Sequence, residues 1–321
     1  MLSLNELALR RCELLAEHLA ERMHLHAGVL HMDCGARVID CGVKASGGLE
    51  IGRQLAEICL ADLGRVSFVP GSADVWSGPA VAVQTDQPVA ACMASQYAGW
   101  QIAGEKFFAM GSGPMRAAAG REKIYDHIGF RETTAHSVGV LETGKLPPED
   151  VCRKIAADCQ VEPANLTLLV ARTASIAGSV QVVARTVETA LHKMHELGFD
   201  ISRVHSGFGI APLPPIAKDD LAGIGRTNDA VLYGGEVTLW IRGDDESLAT
   251  LGPQIPASAS RDYGEPFAAI FERAGKDFYK IDPLLFSPGV VNLVNIDSGT
   301  FHRFGQLRPD VLKRSFTSSS S

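Results

Sequence analysis

The chain has 321 residues, with 30 Lys plus Arg against 37 Asp plus Glu, a net charge of −7, 46% hydrophobic and 21% charged residues. This is a globular composition, which excludes disorder, collagen and coiled coil, and a length that suits two domains. A net negative chain with no long basic run is not built around nucleic acid or an anionic membrane, so the expected partner is a small molecule.

The seven cysteines, at 12, 34, 41, 59, 92, 152 and 159, include no Cys-x-x-Cys pair, which predicts reduced, mostly buried thiols. The first 25 residues carry charges every few positions and no apolar h-region, and no 18-residue apolar run occurs anywhere, so a cytoplasmic protein without a membrane span is expected. The low charged fraction lacks the Lys/Glu enrichment of hyperthermophiles and reads as mesophilic.

In chain order, Ser3 and Glu6 stand in capping-box spacing and start a helix with Leu7, Leu14, Leu15 and Leu19 on one face. Residues 28–43 read as two strands around Asp33-Cys34-Gly35, and Ser46-Gly47-Gly48 opens a helix to about Leu60 with Ile51, Leu55 and Cys59 inward. Strands are predicted at 65–70, 79–84 and 88–94, and again from Lys106 to Met110, running into Gly111-Ser112-Gly113-Pro114. A helix near 114–127 and a half-buried strand from Thr133 to Thr143 come next, then a helix after Pro147-Pro148 with Cys152 and Cys159 as core, and an apolar strand from Leu166 to Ala171. The small-residue turn Ala177-Gly178-Ser179 precedes a long helix, 180–197. The remainder reads as a loop from Gly207 to Pro215, a helix near 217–232, a strand at 236–241, helices near 245–251 and 266–274, and strands at 289–296 and 300–304. The predicted class is therefore α+β, mixed α/β rather than a Rossmann fold, with domains at 1–130 and 131–310 whose segments can be discontinuous, and a flexible tail at 311–321. Offsetting by 132 residues lays Ile51, Arg53, Leu55 and Cys59 over Val183, Arg185, Val187 and Leu191, a weak internal echo in which Glu188 faces Ala56.

Most standard motifs are absent. Gly111-Ser112-Gly113 begins like a dinucleotide fingerprint, but Arg116 occupies the third glycine position; no Gly-Lys-Ser/Thr, Gly-x-Ser-x-Gly or His-Glu-x-x-His occurs. His24, His26, His31 and Cys34 lie close together without ligand spacing, so no metal is expected. The turn from Gly111 to Arg116 offers backbone N–H groups and a guanidinium that suit an anion, although the residues alone favour a tight turn with a surface arginine. In the helix 180–197, Val180, Val183, Ala184, Val187, Leu191 and Met194 form the apolar stripe, which leaves Gln181, Arg185, Glu188 and His192 on one polar face. Spacing alone favours a solvated ion pair for Arg185 and Glu188; the breaker-rich segment Thr173 to Ser179 before them, the kind of loop that carries active sites, keeps a functional reading open.

The blocks Met110-Gly-Ser-Gly-Pro-Met-Arg-Ala117, Thr173-Ala-Ser-Ile-Ala-Gly-Ser-Val-Gln181 with Ala184-Arg-Thr-Val-Glu-Thr189, His192 to Asp200, Thr227 to Gly235, Ser260 to Gly264 and Phe278 to Pro283 together resemble methenyltetrahydromethanopterin cyclohydrolase from the first helix to about residue 305. The resemblance implies hydrolysis of the N5,N10-methenyl bridge of a reduced methanopterin, two α/β-type domains with the pterin in a cleft between them, no metal or other cofactor, and a homotrimer. It places the catalytic arginine and glutamate on Arg185 and Glu188. Ser179, Gln181, Ser112, Gly113 and Arg116 are the expected substrate-binding residues, the last three by analogy with anion-binding turns. Two other readings compete: a catalytically inactive pterin binder, which predicts loss of the Arg185/Glu188 pair, and an oxidoreductase on the same carrier, which needs a nicotinamide or flavin site. A mesophilic chain fits formaldehyde oxidation to formate in a methylotrophic bacterium better than the archaeal direction of the pathway.

Overall fold

A computed structural model describes residues 3–21, 25–275 and 280–317. His24, Phe278 and the 318–321 tail, singled out in the sequence, lie outside the described residues, as does the side chain of Leu19. The elements are α1 (Leu4–Glu21), β1 (Gly28–His31), β2 (Arg37–Gly42), α2 (Leu49–Cys59), β3 (Gly64–Pro70), β4 (Pro79–Thr85), a π-helix (Val89–Gln96), β5 (Trp100–Ala103), β6 (Phe108–Ser112), α3 (Met115–Ala119), α4 (Ile124–Ile128), β7 (Ser137–Glu142), α5 (Glu149–Asp158), β8 (Leu166–Ala171), α6 (Ile176–Val183), α7 (Thr186–Glu196), β9 (Val204–Pro212), α8 (Asp220–Gly234), β10 (Glu236–Ile241), α9 (Asp245–Leu251), α10 (Phe267–Arg273), β11 (Val290–Asn295), β12 (Phe301–Gly305) and α11 (Pro309–Thr317). Short 3-10 turns join several of them.

The chain divides into two compact units, residues 1–64 with 90–181 and residues 65–89 with 182–321. A contiguous division near residue 130 would cut the first unit's sheet between the hydrogen-bonded neighbours β6 and β7.

The first unit is built on a six-stranded sheet in the order β1-β2-β8-β7-β6-β5. Its centre, β2-β8-β7, is parallel, and antiparallel strands form both edges. Such a centre must be covered on both faces. On one side Ile39, Cys41, Val138, Val140 and Leu169 meet α1, α2 and Ala177 of α6; on the other Val38, Leu141, Leu168 and Val170 meet α3 and α5. The β7 strand shows no half-exposed alternation because it lies at this two-sided centre, so the segment 133–143 shortens to Ser137–Glu142, with all but Glu142 buried. The inward face of α1 is Leu4, Ala8, Cys12 and Leu15, whereas Leu14 is 53% exposed. Ser3 Oγ accepts from Glu6 N–H, and Glu132 accepts from the N–H groups of Leu4 and Asn5.

Three more readings change in this unit. The predicted strand 88–94 is the π-helix, an Ala-rich run apolar on every side, whose buried residues Ala90–Gln96 carry no period to distinguish strand from helix. The helix near 114–127 is two helices because Gly120 takes φ +56° and ends α3. The 132-residue echo lays α2 across the break between α6 and α7, so it matches no single helix; β2–α2 and β7–α5 instead share one element spacing.

The second unit has a six-stranded sheet ordered β12-β11-β10-β9-β4-β3, with β10 and β11 parallel and the β11–β12, β10–β9 and β9–β4 pairs antiparallel. The segment read as a loop from Gly207 is mostly β9, paired on both sides. Its glycines weaken strand propensity but serve packing: a Cβ at Gly207 would lie 2.6 Å from Val187 Cγ1, and one at Gly209 would lie 2.9 Å from Thr186 Cβ. Helix α7 therefore rests directly on the strand. The segment 311–321 is not a free tail throughout, since α11 buries Val311, Leu312 and Phe316 and packs against α8.

Candidate active site

The helix expected over 180–197 is two helices. Helix α6 ends at Val183, Ala184 and Arg185 form a turn, and α7 starts at Thr186. Arg185 N–H bonds Val182 O and Thr186 Oγ1 donates to Val183 O, which closes the last turn of α6, while Arg185 O accepts from Thr189 N–H and begins α7. The break places Arg185 at the N-cap and Glu188 in the first turn of α7, where the positive end of the helix dipole favours a carboxylate. Gln181 remains on α6 in the first unit, so the four polar residues share no single helix face.

Arg185 Nη1 stands 3.8 Å from Glu188 Oε2, and the two residues are 6% and 4% exposed. A solvated surface pair would be far more open, so this reading of the spacing is overturned. The stripe Val183, Ala184, Val187, Leu191 and Met194 is buried as expected, and Val180 is buried in the first unit. Two consequences follow. Low exposure keeps bulk water away from the pair, and the close seat of α7 on Gly207 and Gly209 fixes where the start of the helix stands.

In the first unit, Ser112 and Gln181 come together around one thiol. Ser112 Oγ lies 3.4 Å from Cys59 Sγ, and Gln181 Nε2 donates to the same sulfur at 3.8 Å. Ser95 Oγ donates to Cys59 O at 2.7 Å, and Ser95 O accepts from Gly113 N–H at 2.8 Å. Gly113 takes φ +87° and packs against the middle of β7, where a Cβ would meet Val140 N at 3.3 Å. Strand β6 runs through Ser112, so the turn is shorter than the sequence implied and its first N–H groups belong to the sheet.

Arg116 is not a surface arginine. It is fully buried, its Nε and Nη2 hold Glu122 at 2.8 and 2.6 Å, and Nη1 donates to Met93 O and Ser95 O at 3.0 and 3.3 Å. The rings of Tyr97 and Tyr125 flank the guanidinium at 4.9 and 5.5 Å. Ser179 is 2% exposed and donates to Thr173 O, bracing the loop that enters α6, in which Gly178 N–H also bonds Ser175 Oγ. Cys59 was read only as an inward core residue of its helix, and Ser95, Glu122 and Tyr125 were not singled out in the sequence.

Among the described residues, no three His, Cys, Asp or Glu side chains gather as a metal site. The described cysteines are free thiols, and all but Cys34 are buried. No helix among the described residues is long and apolar enough to cross a membrane.

The two mixed sheets define an α+β protein, and a guanidinium and a carboxylate lie buried side by side at the start of one of its helices. Residues 3–316 match the model of one family, Cyclohydrolase (MCH). The chain is 46% identical over 303 residues to the methenyltetrahydromethanopterin cyclohydrolase of Methylobacillus flagellatus, covering 94% of this chain and 93% of the relative. It is 50% identical over 287 residues to that of Rhodopirellula baltica (88% and 86% covered) and 43% identical over 319 residues to that of Methanosarcina barkeri (98% of both). The chain belongs to the methenyltetrahydromethanopterin cyclohydrolase family.

Proposed function

We propose that the protein hydrolyses the N5,N10-methenyl bridge of methenyltetrahydromethanopterin to the N5-formyl compound, with Glu188 as the base and Arg185 as its partner. The observation that carries this is the buried Arg185–Glu188 pair, held on its own helix start in a chain of this family. The methenyl carbon is an amidinium-like cation and already electrophilic, so the step needs a placed water and a base of modest strength. Glu188 takes a proton from water as its oxygen bonds the methenyl carbon. The resulting carbinolamine loses its C–N10 bond when protonated Glu188 gives that proton to N10; the hydroxyl proton leaves to solvent as the formyl C=O forms. One water is consumed and one proton released.

Arg185 tempers the carboxylate. An unpaired anion would stabilise the cationic substrate as much as the transition state and so gain no rate. Ser112, Gly113 and Gln181 are the proposed substrate-facing groups of the first unit, with Ser179 and Arg116 holding them from behind. The reading includes no metal or other cofactor, a homotrimer, a cytoplasmic location and the direction of formaldehyde oxidation in a methylotrophic bacterium.

The test is the loss of the methenyl chromophore on addition of purified, EDTA-treated protein. Glu188→Gln keeps the shape and removes the basic oxygen, so kcat should fall by roughly 10²–10⁴-fold, the usual contribution of general base catalysis. Turnover above about a tenth of wild type in a folded Glu188→Gln protein would remove Glu188 from the chemistry, and turnover that needs added zinc would remove the cofactor-free reading.

A further inference from the structure

The π-helix Val89–Gln96 is eight residues long, in a class of helix that mostly appears as single turns and often at functional sites. Tyr97 N–H reaches back five residues to Cys92 O, and the carbonyls that follow, of Met93, Ala94 and Ser95, lie at the helix's buried end. Buried carbonyls at a helix terminus must find donors outside the helix. Each of these does: Met93 O and Ser95 O accept from Arg116 Nη1, Ala94 O accepts from Tyr125 OH at 2.7 Å, and Ser95 O also accepts from Gly113 N–H. Glu122 balances the buried guanidinium with two hydrogen bonds, and the two tyrosine rings enclose it.

We infer that Arg116, with Tyr125, is a positioning residue: it fixes the end of the π-helix so that Ser95 and Cys59 hold Ser112, Gly113 and Gln181 where they meet substrate. The chain of contacts is continuous. Arg116 sets Ser95 O, Ser95 O sets Gly113 N–H, Ser95 Oγ sets the Cys59 carbonyl, and the Cys59 thiol touches both Ser112 and Gln181. This gives the arginine of the Gly111-to-Arg116 block a function that anion binding does not, because its donors already face protein acceptors. The inference rests on the proposed cyclohydrolase reading.

Arg116→Lys and Tyr125→Phe test it, both assayed for chromophore loss beside wild type, with circular dichroism establishing that each is folded at the assay temperature. Tyr125→Phe removes only the hydroxyl that reaches Ala94 O and keeps the ring. KM should rise roughly three- to tenfold in Tyr125→Phe, the scale of one buried neutral hydrogen bond, and further in Arg116→Lys, with kcat within about twofold of wild type. A lowered melting temperature with KM unmoved in folded Tyr125→Phe would make the clamp scaffold only and overturn the inference, whether or not Arg116→Lys folds. A fall in kcat at unchanged KM would overturn it as well. Wild type without turnover would fail the cyclohydrolase reading itself, and the inference with it.

Discussion

Replacing Asp229 by asparagine should make the protein more stable at neutral and alkaline pH, and less pH-dependent. Asp229 is fully buried on α8, where Oδ1 caps α10 by accepting Phe267 N–H at 2.8 Å and Oδ2 has no hydrogen-bond partner. Burial pushes its carboxyl up from 3.8 to about 7, against the pull of Ser315, Phe267 N–H and Arg314. A carboxyl whose folded value is raised gives its full stabilisation below the unfolded value and loses it as pH climbs to the folded one. Stability from this group therefore falls between about pH 4 and pH 7 and is flat above. A tenfold step in proton affinity is about 1.4 kcal/mol, so the gap corresponds to roughly 4 kcal/mol by pH 8. Asparagine keeps the acceptor for Phe267 N–H and cannot ionise, but it buries an amide donor that costs about 1–3 kcal/mol. Net stabilisation of roughly 1–3 kcal/mol at pH 8, turning to destabilisation at pH 4, is the expected result. Urea unfolding of both proteins at pH 4, 5, 6, 7 and 8 measures it, the difference between them cancelling the other carboxylates. Parallel curves across that range would refute the reasoning.

Two further outcomes follow. Gly209→Ala puts a Cβ 2.9 Å from Thr186 Cβ, so it must push the first turn of α7 outward; kcat should drop about ten- to a hundredfold while the protein stays folded, and unchanged kcat would show that the seat of α7 does not set the reacting geometry. Light scattering at micromolar concentration should give three times the 34.2 kDa chain mass, and a monomer mass would end the trimer reading.

Much of the second unit and of the sheet in the first was legible because strong local signals agreed with tertiary context. The helices expected near 217–232 and 245–251 form as α8 and α9, capped by Asp219 and Asp244, and the apolar run Leu166–Ala171 became a strand buried on both faces. The failures share a physical cause. Spacing tells which residues lie on one side of an element but not what covers that side, so Gln181, Arg185 and Glu188 were placed on a polar face and are all buried. The glycines of β9 read as loop because their purpose lies in another element, the flank of α7. A π-helix has no periodic signature in a run of alanines, and Arg116 looked like an anion ligand because the carbonyls it satisfies are more than twenty residues upstream.

Two buried arginines, Arg116 and Arg185, each stand beside a glutamate, and the two contacts differ in kind. Arg116 grips Glu122 through both oxygens, at 2.8 and 2.6 Å, and adds two backbone carbonyls; a carboxylate held in such a fork is an acceptor with no proton to trade. Arg185 stands off from Glu188 at 3.8 Å, beyond hydrogen-bond distance, on the first turn of a short helix. In the proposed reaction it is this looser contact that exchanges a proton, whereas the fork only holds its carboxylate. Removing one partner from a buried pair is usually severe for folding, and most severe where the hydrogen bonds are tight. The forked pair should therefore be the more damaging to break for stability, and the loose pair the more damaging for turnover.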